Sequence, residues 1–299
     1  MTSASAATPS AAAPAPTPLP QVRSGRLERL PAFPSTQVAA RHEDVWVPRQ
    51  CEAGQAPCQA LHMHDGQMLF DARTTWNHQA WDVDQTLGRL IDAGEVPPTI
   101  VVGVWNDGPR RQAEYYPQKA LALTQEPARS RHIAEALGGQ PLADVYLRFL
   151  VQELKPAIDR RFNTRPDAAH TAVMGSSMGG MVSAYAISEY PQVFGAAAGL
   201  STHWLSRHEP NAALPLGHFN DLREHLPDPA THRLWFDRGT IELDALYGPY
   251  QPLVDLIGRD RGYAAANWVS RVYEGQGHNE RAWAARLPEV LRFVLAARP

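Results

Sequence analysis

The sequence predicts an α/β fold, with a mostly parallel central sheet and helices on both of its faces. Strand-like runs and helical patterns alternate along most of the chain, which is typical of parallel sheets. Runs such as "TIVVGVW" are almost continuously apolar, as expected of strands that are covered on both faces. The 299 residues would suit one large domain or two small ones, and no charged linker divides them, so we predict one domain.

The N-terminal segment is predicted to be disordered. Residues 1–20, "MTSASAATPSAAAPAPTPLP", carry no charge and almost no large apolar side chain. Such a composition buries too little apolar surface to offset the entropy of ordering the chain. The segment also lacks the basic start and apolar core of a signal peptide. We therefore expect a disordered tail over residues 1–35 and a catalytic domain over residues 36–299.

The first half of the domain contains three strand predictions, at "TQVAARHEDVWVP", "CQALHMHDG" and "TIVVGVW". The first mixes β-branched and aromatic residues and stops at Pro48, which indicates a strand or hairpin arm. Apolar residues at helical spacing lie between the second and third runs, at Val83, Leu87, Leu90 and Ile91. The longest helical pattern follows, "LADVYLRFLVQELKPAIDRRF", in which Pro156 predicts a kink or an end.

The second half continues the alternation. A strand "HTAVMG" leads into a helix "GMVSAYAISEYP", and "GAAAGLS", "RLWFDRG" and "NWVSRVYEG" are further strand predictions. Helical patterns follow the last two strands, at "YQPLVDLIGRD" and "RAWAARLPEVLRFVLAA". Residues 201–230 are rich in His, Pro and Asn and interrupt the rhythm, so we predict a loop or small cap over the sheet.

Composition and charge argue against several classes of partner. The net charge is −3 with neutral histidines, and no basic stripe indicates binding to nucleic acid. No stretch approaches 18 consecutive apolar residues, so we expect no membrane insertion. Cys51 and Cys58 flank a Gly- and Pro-containing loop, and they could form a disulfide in an oxidising compartment or remain reduced thiols in the cytoplasm. The sequence determines neither the compartment nor the oligomeric state.

Residues 173–180, "VMGSSMGG", place two adjacent serines in a glycine-rich turn between a strand and a helix. A nucleophilic serine on such a turn needs small residues two positions before and after it, because larger side chains would collide with the flanking strand and helix. Ser177 has Gly175 and Gly179 at these positions. Ser176 has methionines instead, at positions 174 and 178. The pattern G-x-S-x-G therefore selects Ser177 as the candidate nucleophile, at the carboxyl edge of the sheet.

A serine hydroxyl needs a neighbouring imidazole to accept its proton. In hydrolases with this kind of turn the histidine comes last in the chain, and His278 follows the final predicted strand in "YEGQGHNE". The acid should follow the penultimate strand, in "RLWFDRGTIELD". Asp237 still belongs to that strand, whereas Glu242 and Asp244 lie just beyond it. We prefer Glu242 as the acid and keep Asp244 as the alternative.

Acyl transfer also needs two N–H donors for the oxyanion of the tetrahedral intermediate. The backbone N–H of Met178, which follows the nucleophile, is one candidate. Gln67, after the strand and turn "LHMHDG", offers the other. His62, His64 and Asp65 in the same stretch could suggest a metal, but the two histidines lie only two positions apart at a strand end and no further ligand is evident. We therefore predict no metal.

Several motifs occur together and in a characteristic order: "MHDGQMLFDARTTW", "IVVGVWN", "RRQAEYYP", "MGSSMGGM", "FDRGTIELD" and "GQGHNERAW". In this order the chain resembles the putative esterase family of α/β-hydrolases, over roughly residues 36 to 297. That family includes esterase D, feruloyl esterase, enterochelin esterase and antigen 85 mycolyltransferase relatives. The resemblance implies an α/β-hydrolase fold with Ser177 as nucleophile, His278 as base and an acid within "GTIELD". It also implies oxyanion donors at Gln67 and Met178.

The motif "RRQAEYYP" adds two candidate substrate-binding residues, Arg111 and Glu114. Enterochelin esterase relatives carry an Arg-x-x-Glu element at this position, so the resemblance implies a role in binding substrate. The planar donors of Arg111 would suit an anionic or hydroxyl-rich group. The alternative is a local Arg–Glu pair that fixes the loop, and the sequence leaves both open.

The function predicted from these residues is serine-dependent hydrolysis of a small-molecule carboxylic ester through an acyl-enzyme. Esters of carbohydrates or hydroxy acids, or a siderophore-type lactone, are the substrate classes we expect. No metal or organic cofactor is expected. Two alternatives remain: acyl transfer to a sugar alcohol, as in the mycolyltransferases, and a binding protein without activity on a hydrolase fold.

Overall fold

The computed structural model describes residues 17–52 and 55–297. One eight-stranded sheet runs through this part of the chain, in the order β1-β2-β4-β3-β5-β6-β7-β8. The strands are β1 (Arg26–Phe33), β2 (Arg41–Val47), β3 (Gln59–His64), β4 (Thr99–Val104), β5 (Thr171–Ser176), β6 (Ala196–Leu200), β7 (Arg233–Gly239) and β8 (Trp268–Tyr273). Strands β3 to β8 are mutually parallel, whereas β2 is antiparallel to β4 and to β1. The mostly parallel sheet expected from the sequence is confirmed.

Helices cover both faces of the sheet. They are α1 (Val83–Asp92), α2 (Arg111–Tyr115), α3 (Gln118–Ala122), α4 (Ala128–Ala136), α5 (Ala143–Arg148), α6 (Lys155–Phe162), α7 (Met178–Glu189), α8 (Ala213–His225), α9 (Gln251–Asp260) and α10 (Glu280–Val294). A π-helical segment, Phe149–Leu154, joins α5 to α6, and Pro156 lies in the first turn of α6. The wider π-helical turn lets the helix continue into α6 although Pro156 has no backbone N–H to donate.

Two apolar cores lie on opposite faces of the sheet. Helices α1 and α10 contribute Leu87 and Leu291 to the core on one face, where Trp46 of β2 also packs. The remaining helices cover the other face, where Val45 of β2 is buried. Neighbouring residues of a strand point to opposite faces, so Val45 and Trp46 divide between the two cores. The sheet is therefore covered on both sides, as its apolar strands require.

The ordered structure begins earlier than the predicted domain boundary at residue 36. Strand β1 pairs with β2, the indole N–H of Trp46 donates to the carbonyl oxygen of Ser24 at 2.6 Å, and Arg29 forms an ion pair with Asp44 at 2.7 Å. Residues 17–35 therefore belong to the folded part, which corrects the predicted tail. Pairing with β2 stabilises this strand, and so does apolar packing, since Leu30 and Phe33 pack on one core and Leu27 on the other. The expectation of disorder for residues 1–16 lies outside the described residues.

The segment predicted as a loop or small cap contains helix α8, thirteen residues long. Phe219 and Leu222 bury its inner face in the core beside α7.

Just before β3, Cys51 and Cys58 form a disulfide with a Cα–Cα distance of 5.9 Å. The disulfide is one of the two alternatives that the sequence left open. Within residues 17–52 and 55–297, no helix combines the length and the apolar character that a membrane span needs.

Candidate active site

Ser177 occupies the turn between β5 and α7 with backbone angles φ 55° and ψ −122°. A non-glycine residue with these angles is strained, and strained turns of this kind present a nucleophile at the carboxyl edge of a sheet. A Cβ atom on Gly175 would lie 2.9 Å from the backbone of Gly179, so the strand and helix can approach only without that side chain. The Ser177 N–H donates to the carbonyl oxygen of Leu200 at 2.9 Å, which ties the turn to β6.

The neighbouring serine has a different environment. Ser176 is the last residue of β5, pairs with Leu200 in the parallel ladder and is only 5% exposed. Both serines reach the same cavity, but Ser177 alone lies at the strained turn. The fold therefore presents Ser177, as the glycine pattern predicted.

His278 lies in the loop between β8 and α10, and its ring contacts a buried carboxylate. Its Nδ1–H donates to Oδ1 of Asp244 at 2.6 Å. The other oxygen of Asp244 accepts from the Ser201 hydroxyl and from the N–H of Gly239, each at 2.5 Å. Burial alone would raise the pKa of Asp244, but the hydrogen bonds from His278 and Ser201 outweigh it and hold the pKa below its usual value. An ionised Asp244 fixes the ring with Nδ1 protonated, which leaves Nε2 free to accept a proton.

Glu242 does not contact the imidazole. Its carboxylate accepts from the backbone N–H of His278 at 2.9 Å, and its own backbone has a φ of 55°. Glu242 opens a 3₁₀ helix, Glu242–Tyr247, which faces solvent at its start and turns Asp244 inward. The preference for Glu242 is therefore corrected in favour of Asp244, the alternative, because the geometry of this turn decides which carboxylate meets the ring.

Arg286 of α10 contacts Asp237 and lies close to Asp244, and it was not anticipated from the sequence. Its side chain is fully buried, and Nη1 lies 2.8 Å from Oδ1 of Asp237 and 3.1 Å from the Ser201 hydroxyl. Nη2 lies 3.7 Å from Asp244. Asp237, which the sequence placed within β7, is thus a structural partner of Arg286. The carboxylates of Asp237 and Asp244 compensate the buried positive charge of Arg286. These contacts connect α10, which is distant in sequence, to the site.

The loop after β3 brings Gln67 to the cavity that contains Ser177. Asp65 has a φ of 58°, and Gly66 packs so closely on the backbone of Gly103 that a Cβ atom would overlap it. Gln67 then lines the cavity that contains Ser177 and His278. Met178 is the first residue of α7, where backbone N–H groups lack partners within the helix. Both predicted oxyanion donors, Gln67 and Met178, therefore lie near Ser177, and their role as donors stays a prediction.

Arg111 reaches the cavity but pairs with a different carboxylate from the one expected. Its Nε and Nη2 donate to the two oxygens of Asp65 at 2.6 and 2.7 Å. Glu114 is buried and accepts two hydrogen bonds from Arg41, both at 2.7 Å. The expectation of Glu114 as a substrate contact is corrected, and so is the alternative of a local Arg111–Glu114 pair, because each residue has another partner.

The cavity has a volume of about 430 Å³ and mixes aromatic, amide and charged groups. Its lining comprises Asp65, Gln67, Met68, Trp76, Asn77, Trp81, Asn106, Arg111, Ser176, Ser177, His278, Asn279, Glu280 and Trp283. Trp76 is 82% exposed at this cavity, whereas the rings of Trp81 and Trp283 pack against each other at 5.5 Å. Sequence reasoning missed Trp76 and Trp81, because nothing in their local pattern separates a cavity wall from core packing.

The histidines of β3 take part in buried contacts and do not converge. Nδ1 of His64 is 2.8 Å from the Tyr146 hydroxyl, and His62 packs edge-on against Phe194. Burial lowers the pKa of His64 to about 4, so its ring is neutral at physiological pH. Among the residues that the structure describes, no group of three or more His, Cys, Asp or Glu side chains is arranged to hold a metal ion.

Comparison with known proteins places this geometry in context. A Bacillus subtilis (strain 168) protein, described as the uncharacterized protein YbbA, is 24% identical over 184 residues. The match covers 61% of this chain and 61% of that relative, so the chain spans less than two thirds of the relative's length.

Solved structures with similar folds include two esterases. A ferulic acid esterase matches with a TM-score of 0.66 and 17% identity, over 92% of this chain and 100% of that one. The enterobactin esterase FES from Shigella flexneri matches with a TM-score of 0.64 and 19% identity, over 91% of this chain and 60% of that one. At such low identity these similarities concern the fold, and they confirm the expected α/β-hydrolase architecture.

The family match extends over most of the chain. Residues 41–294, from the start of β2 to the end of α10, match the family described as Putative esterase. The matched region contains the Ser177 turn, the His278–Asp244 pair and the Gln67 loop. The resemblance drawn from the motifs is therefore confirmed, and the chain belongs to the Putative esterase family.

Proposed function

We propose that this protein is a serine carboxylic ester hydrolase that acts through an acyl-enzyme. Membership of the esterase family supports ester hydrolysis in general. The observation that carries the serine mechanism is the shared cavity of Ser177, on its strained turn, and His278, paired through Nδ1 with buried Asp244. Nucleophile, base and acid thus come from the turns after β5, β8 and β7, at one edge of the sheet.

In the first half of the reaction, Nε2 of His278 accepts the proton of the Ser177 hydroxyl while Oγ attacks the ester carbonyl carbon. The resulting oxyanion receives hydrogen bonds from the N–H groups of Gln67 and Met178. When the tetrahedral intermediate collapses, the bond to the alcohol oxygen breaks and His278 gives its proton to that oxygen. The products of this half are a free alcohol and an ester of Ser177.

In the second half, His278 accepts a proton from water as the water attacks the acyl-enzyme. The second intermediate collapses with cleavage of the bond to Oγ, and His278 returns the proton to Ser177. Asp244 stays ionised throughout and stabilises the imidazolium that forms in each half. The depressed pKa of Asp244 supports this role, because a protonated carboxyl could not stabilise that charge.

The cavity supports a small-molecule ester with both a ring and polar groups as the substrate. Exposed Trp76 offers an apolar face for a planar or sugar ring. The guanidinium of Arg111, held by Asp65 and half-buried, offers a further donor toward hydroxyl or anionic groups. These features support esters of carbohydrates or hydroxy acids, or a siderophore-type ester, as the substrate class.

Labelling with a fluorophosphonate probe tests the serine mechanism. Intact-mass spectrometry of the wild-type protein should show one adduct, because an activated serine forms a stable phosphonate ester. The Ser177→Ala variant should lose the adduct, whereas the matched Ser176→Ala variant should keep it. An adduct that survives in Ser177→Ala would contradict the assignment of Ser177 as the nucleophile. No adduct on a folded wild-type protein would contradict the serine mechanism and favour a binding protein.

A second assay separates hydrolysis from acyl transfer. Wild-type protein with p-nitrophenyl acetate and a large excess of a sugar acceptor should release free acetate as its main acyl product. A dominant acetylated sugar would instead favour the transferase alternative, which differs only in the nucleophile that meets the acyl-enzyme.

A further inference from the structure

The hydroxyl of Ser201 lies at the centre of a buried group of polar side chains next to the site. Ser201 follows β6 and is fully buried. Its oxygen is 2.5 Å from Oδ2 of Asp244, 2.9 Å from Nε1 of Trp283 and 3.1 Å from Nη1 of Arg286. Side chains from the 3₁₀ helix after β7 and from α10 therefore meet at one hydroxyl.

The chemistry of these partners fixes the direction of the hydroxyl hydrogen. An indole N–H and a guanidinium N–H can only donate hydrogen bonds, so Trp283 and Arg286 fill the two lone pairs of the Ser201 oxygen. The hydroxyl then has one hydrogen to give, and Oδ2 of Asp244 is the acceptor within reach. Ser201 can donate to this carboxylate and cannot accept from it, so the arrangement requires Oδ2 to carry no proton.

The two oxygens of Asp244 consequently differ in their partners. Oδ2 accepts from Ser201 and from the backbone N–H of Gly239, each at 2.5 Å. Oδ1 accepts from Nδ1 of His278 at 2.6 Å. Burial by itself raises the pKa of Asp244, and the hydrogen bonds from His278 and Ser201 hold it below its usual value. Two donors at Oδ2 thus fix the plane of the carboxylate and leave Oδ1 for the ring.

The backbone beside Ser201 is joined to the turn that carries the candidate nucleophile. The carbonyl oxygen of Leu200 accepts from the N–H of Ser177 at 2.9 Å, and the N–H of His203 donates to the carbonyl oxygen of Ser177 at 3.2 Å. Ser201 lies between these two contacts, with a φ of 46°. Its hydroxyl therefore fixes the carboxylate of Asp244 relative to the Ser177 turn.

Trp283 connects the same serine to the imidazole. Its indole N–H donates to Ser201, and its ring meets the His278 ring nearly edge-on, with centroids 5.1 Å apart and an angle of 84° between the planes. Ser201 is thus linked to the turn of the nucleophile through the backbone, to the carboxylate directly and to the imidazole through one side chain.

We propose that Ser201 is a positioning residue for the acid of the serine mechanism: its single hydroxyl hydrogen donates to Oδ2 of Asp244 and keeps Oδ1 directed at the His278 ring. Trp283 and Arg286 set the direction of that hydrogen. This role rests on the function proposed above and adds a residue that neither touches the substrate nor exchanges its own proton.

The role concerns the chemical steps more than binding, because Ser201 is fully buried and is not among the residues that line the cavity. The imidazolium forms in both halves of the reaction, and it needs the carboxylate in line with Nδ1 each time. Without the Ser201 hydroxyl the carboxylate can rotate away from the ring. Loss of the hydroxyl should therefore lower kcat and leave KM nearly unchanged.

A change in the pH profile follows from the same contact. One donor fewer at an ionised carboxylate makes the pair of His278 and Asp244 take up a proton more readily, so the acid limb of the profile should move to higher pH. Burial lowers the pKa of His203 to about 3 and raises that of Tyr247 far above its usual value, so neither changes charge near neutral pH. The titratable and charged groups around this carboxylate are His278 before α10, Arg286 on α10, Asp237 on β7, Glu242 and Tyr247 on the 3₁₀ helix, and His203 after β6.

The test measures kcat and KM for p-nitrophenyl acetate across the acid and neutral range. Ser201→Ala should lower kcat about tenfold with KM within about twofold, and it should move the acid limb upward by about 0.5 to 1 pH unit. Alanine keeps the backbone N–H of position 201 that donates to Asp237. Ser188→Ala is the control, because it removes a hydroxyl that donates to the carbonyl oxygen of Ala184 within α7, and it should keep the wild-type profile.

A double variant shows whether Ser201 acts through the carboxylate. In the Asp244→Asn background, Ser201→Ala should change kcat by less than about twofold, because the group that the hydroxyl positions is already gone. A structural role of the serine, through the packing of α10 for example, would give the same tenfold loss in both backgrounds and no shift of the acid limb.

The outcomes separate this role from the function on which it rests. An active wild-type protein with unchanged kinetics in Ser201→Ala, or equal losses in both backgrounds, would overturn the positioning role alone. Ser201→Gly removes the same hydroxyl and suits a positive φ, so it serves if the alanine variant does not fold. Loss of folding in both variants would assign the hydroxyl to stability and overturn the role as well. A folded wild-type protein without any acylation would overturn both proposals.

Discussion

Asp244 shows how much of the site depends on a single side chain. One oxygen accepts from the His278 ring, and the other accepts from Ser201 and the backbone of Gly239. A carboxylate with all these donors stays ionised despite its burial. Glu242, two residues earlier, has equal charge but faces the backbone of the same loop. At the scale of one residue, hydrogen-bond geometry separates two carboxylates that have the same chemistry.

The first prediction follows from this difference. Asp244→Asn should lower kcat/KM for p-nitrophenyl acetate by about 10³- to 10⁴-fold, because an amide cannot stabilise the imidazolium or keep its tautomer. Glu242→Gln should lower it by less than about tenfold, since an amide oxygen still accepts from the His278 N–H. Steady-state kinetics of the two purified variants, with circular dichroism to verify folding, make the comparison. Equal losses in both variants would contradict the assignment of Asp244 as the acid.

At the scale of elements, α10 is joined to the sheet through Arg286. The guanidinium contacts Asp237 of β7 and Ser201 after β6. Apolar residues of the same helix pack into the core that α10 shares with α1. The loop before α10 carries His278, so the position of this helix sets the position of the His278 ring. One buried charge pair thus couples helix packing to the geometry of the site.

The second prediction tests this coupling. Arg286→Met should lower the free energy of unfolding by about 3–5 kcal/mol, because it leaves the carboxylate of Asp237 buried and unpaired. Adding Asp237→Asn should restore part of the loss by removing that charge. Urea denaturation followed by tryptophan fluorescence measures both.

A control on the same helix distinguishes burial from charge. Arg292 forms an exposed ion pair with Glu95, and Arg292→Met should change the unfolding free energy by less than about 1 kcal/mol. Similar losses in Arg286→Met and Arg292→Met would mean that the buried pair has no special role.

Over the whole molecule, buried ionisable groups link stability to pH. Glu43 of β2 is fully buried, and burial raises the pKa of its carboxyl well above the usual value although Arg41 opposes the shift. A raised carboxyl pKa gives stability that is fully present below the unfolded value of 4.5 and is lost as pH rises toward the folded value. The protein therefore loses stability from Glu43 as the solution becomes less acidic.

The third prediction is a change in this pH dependence. Glu43→Gln cannot ionise, so its unfolding free energy relative to the wild type should be higher at pH 8 than at pH 5, by about 1 kcal/mol or more. Urea denaturation at both pH values provides the measurement. Glu224→Gln on the exposed side of α8 is the control and should follow the wild type at both. Parallel pH dependence in Glu43→Gln and the wild type would contradict the prediction.

The sequence by itself determined the features that depend on local patterns. Apolar runs predicted the parallel strands, because a strand covered on both faces must be apolar along its length. Glycines two positions on either side selected Ser177 over Ser176, because the crowding at a strand-to-helix turn is a local property. His278 was selected by its place after the last strand, and the structure brings it to the cavity of Ser177. Their catalytic roles remain proposals.

Only the tertiary structure decided the features that depend on contacts between distant segments. Strand β1 gains its stability from pairing with β2 and from packing of Leu27, Leu30 and Phe33 on the two cores, which are contacts with distant segments. Arg111 pairs with Asp65 and Glu114 with Arg41, and no local spacing encodes either pair. The side chains of Glu242 and Asp244 leave the same turn in different directions. The packing of that turn against β7, α10 and the loop before α10 sets these directions. Local sequence describes a residue's own conformation, whereas its partners follow from how the whole chain packs.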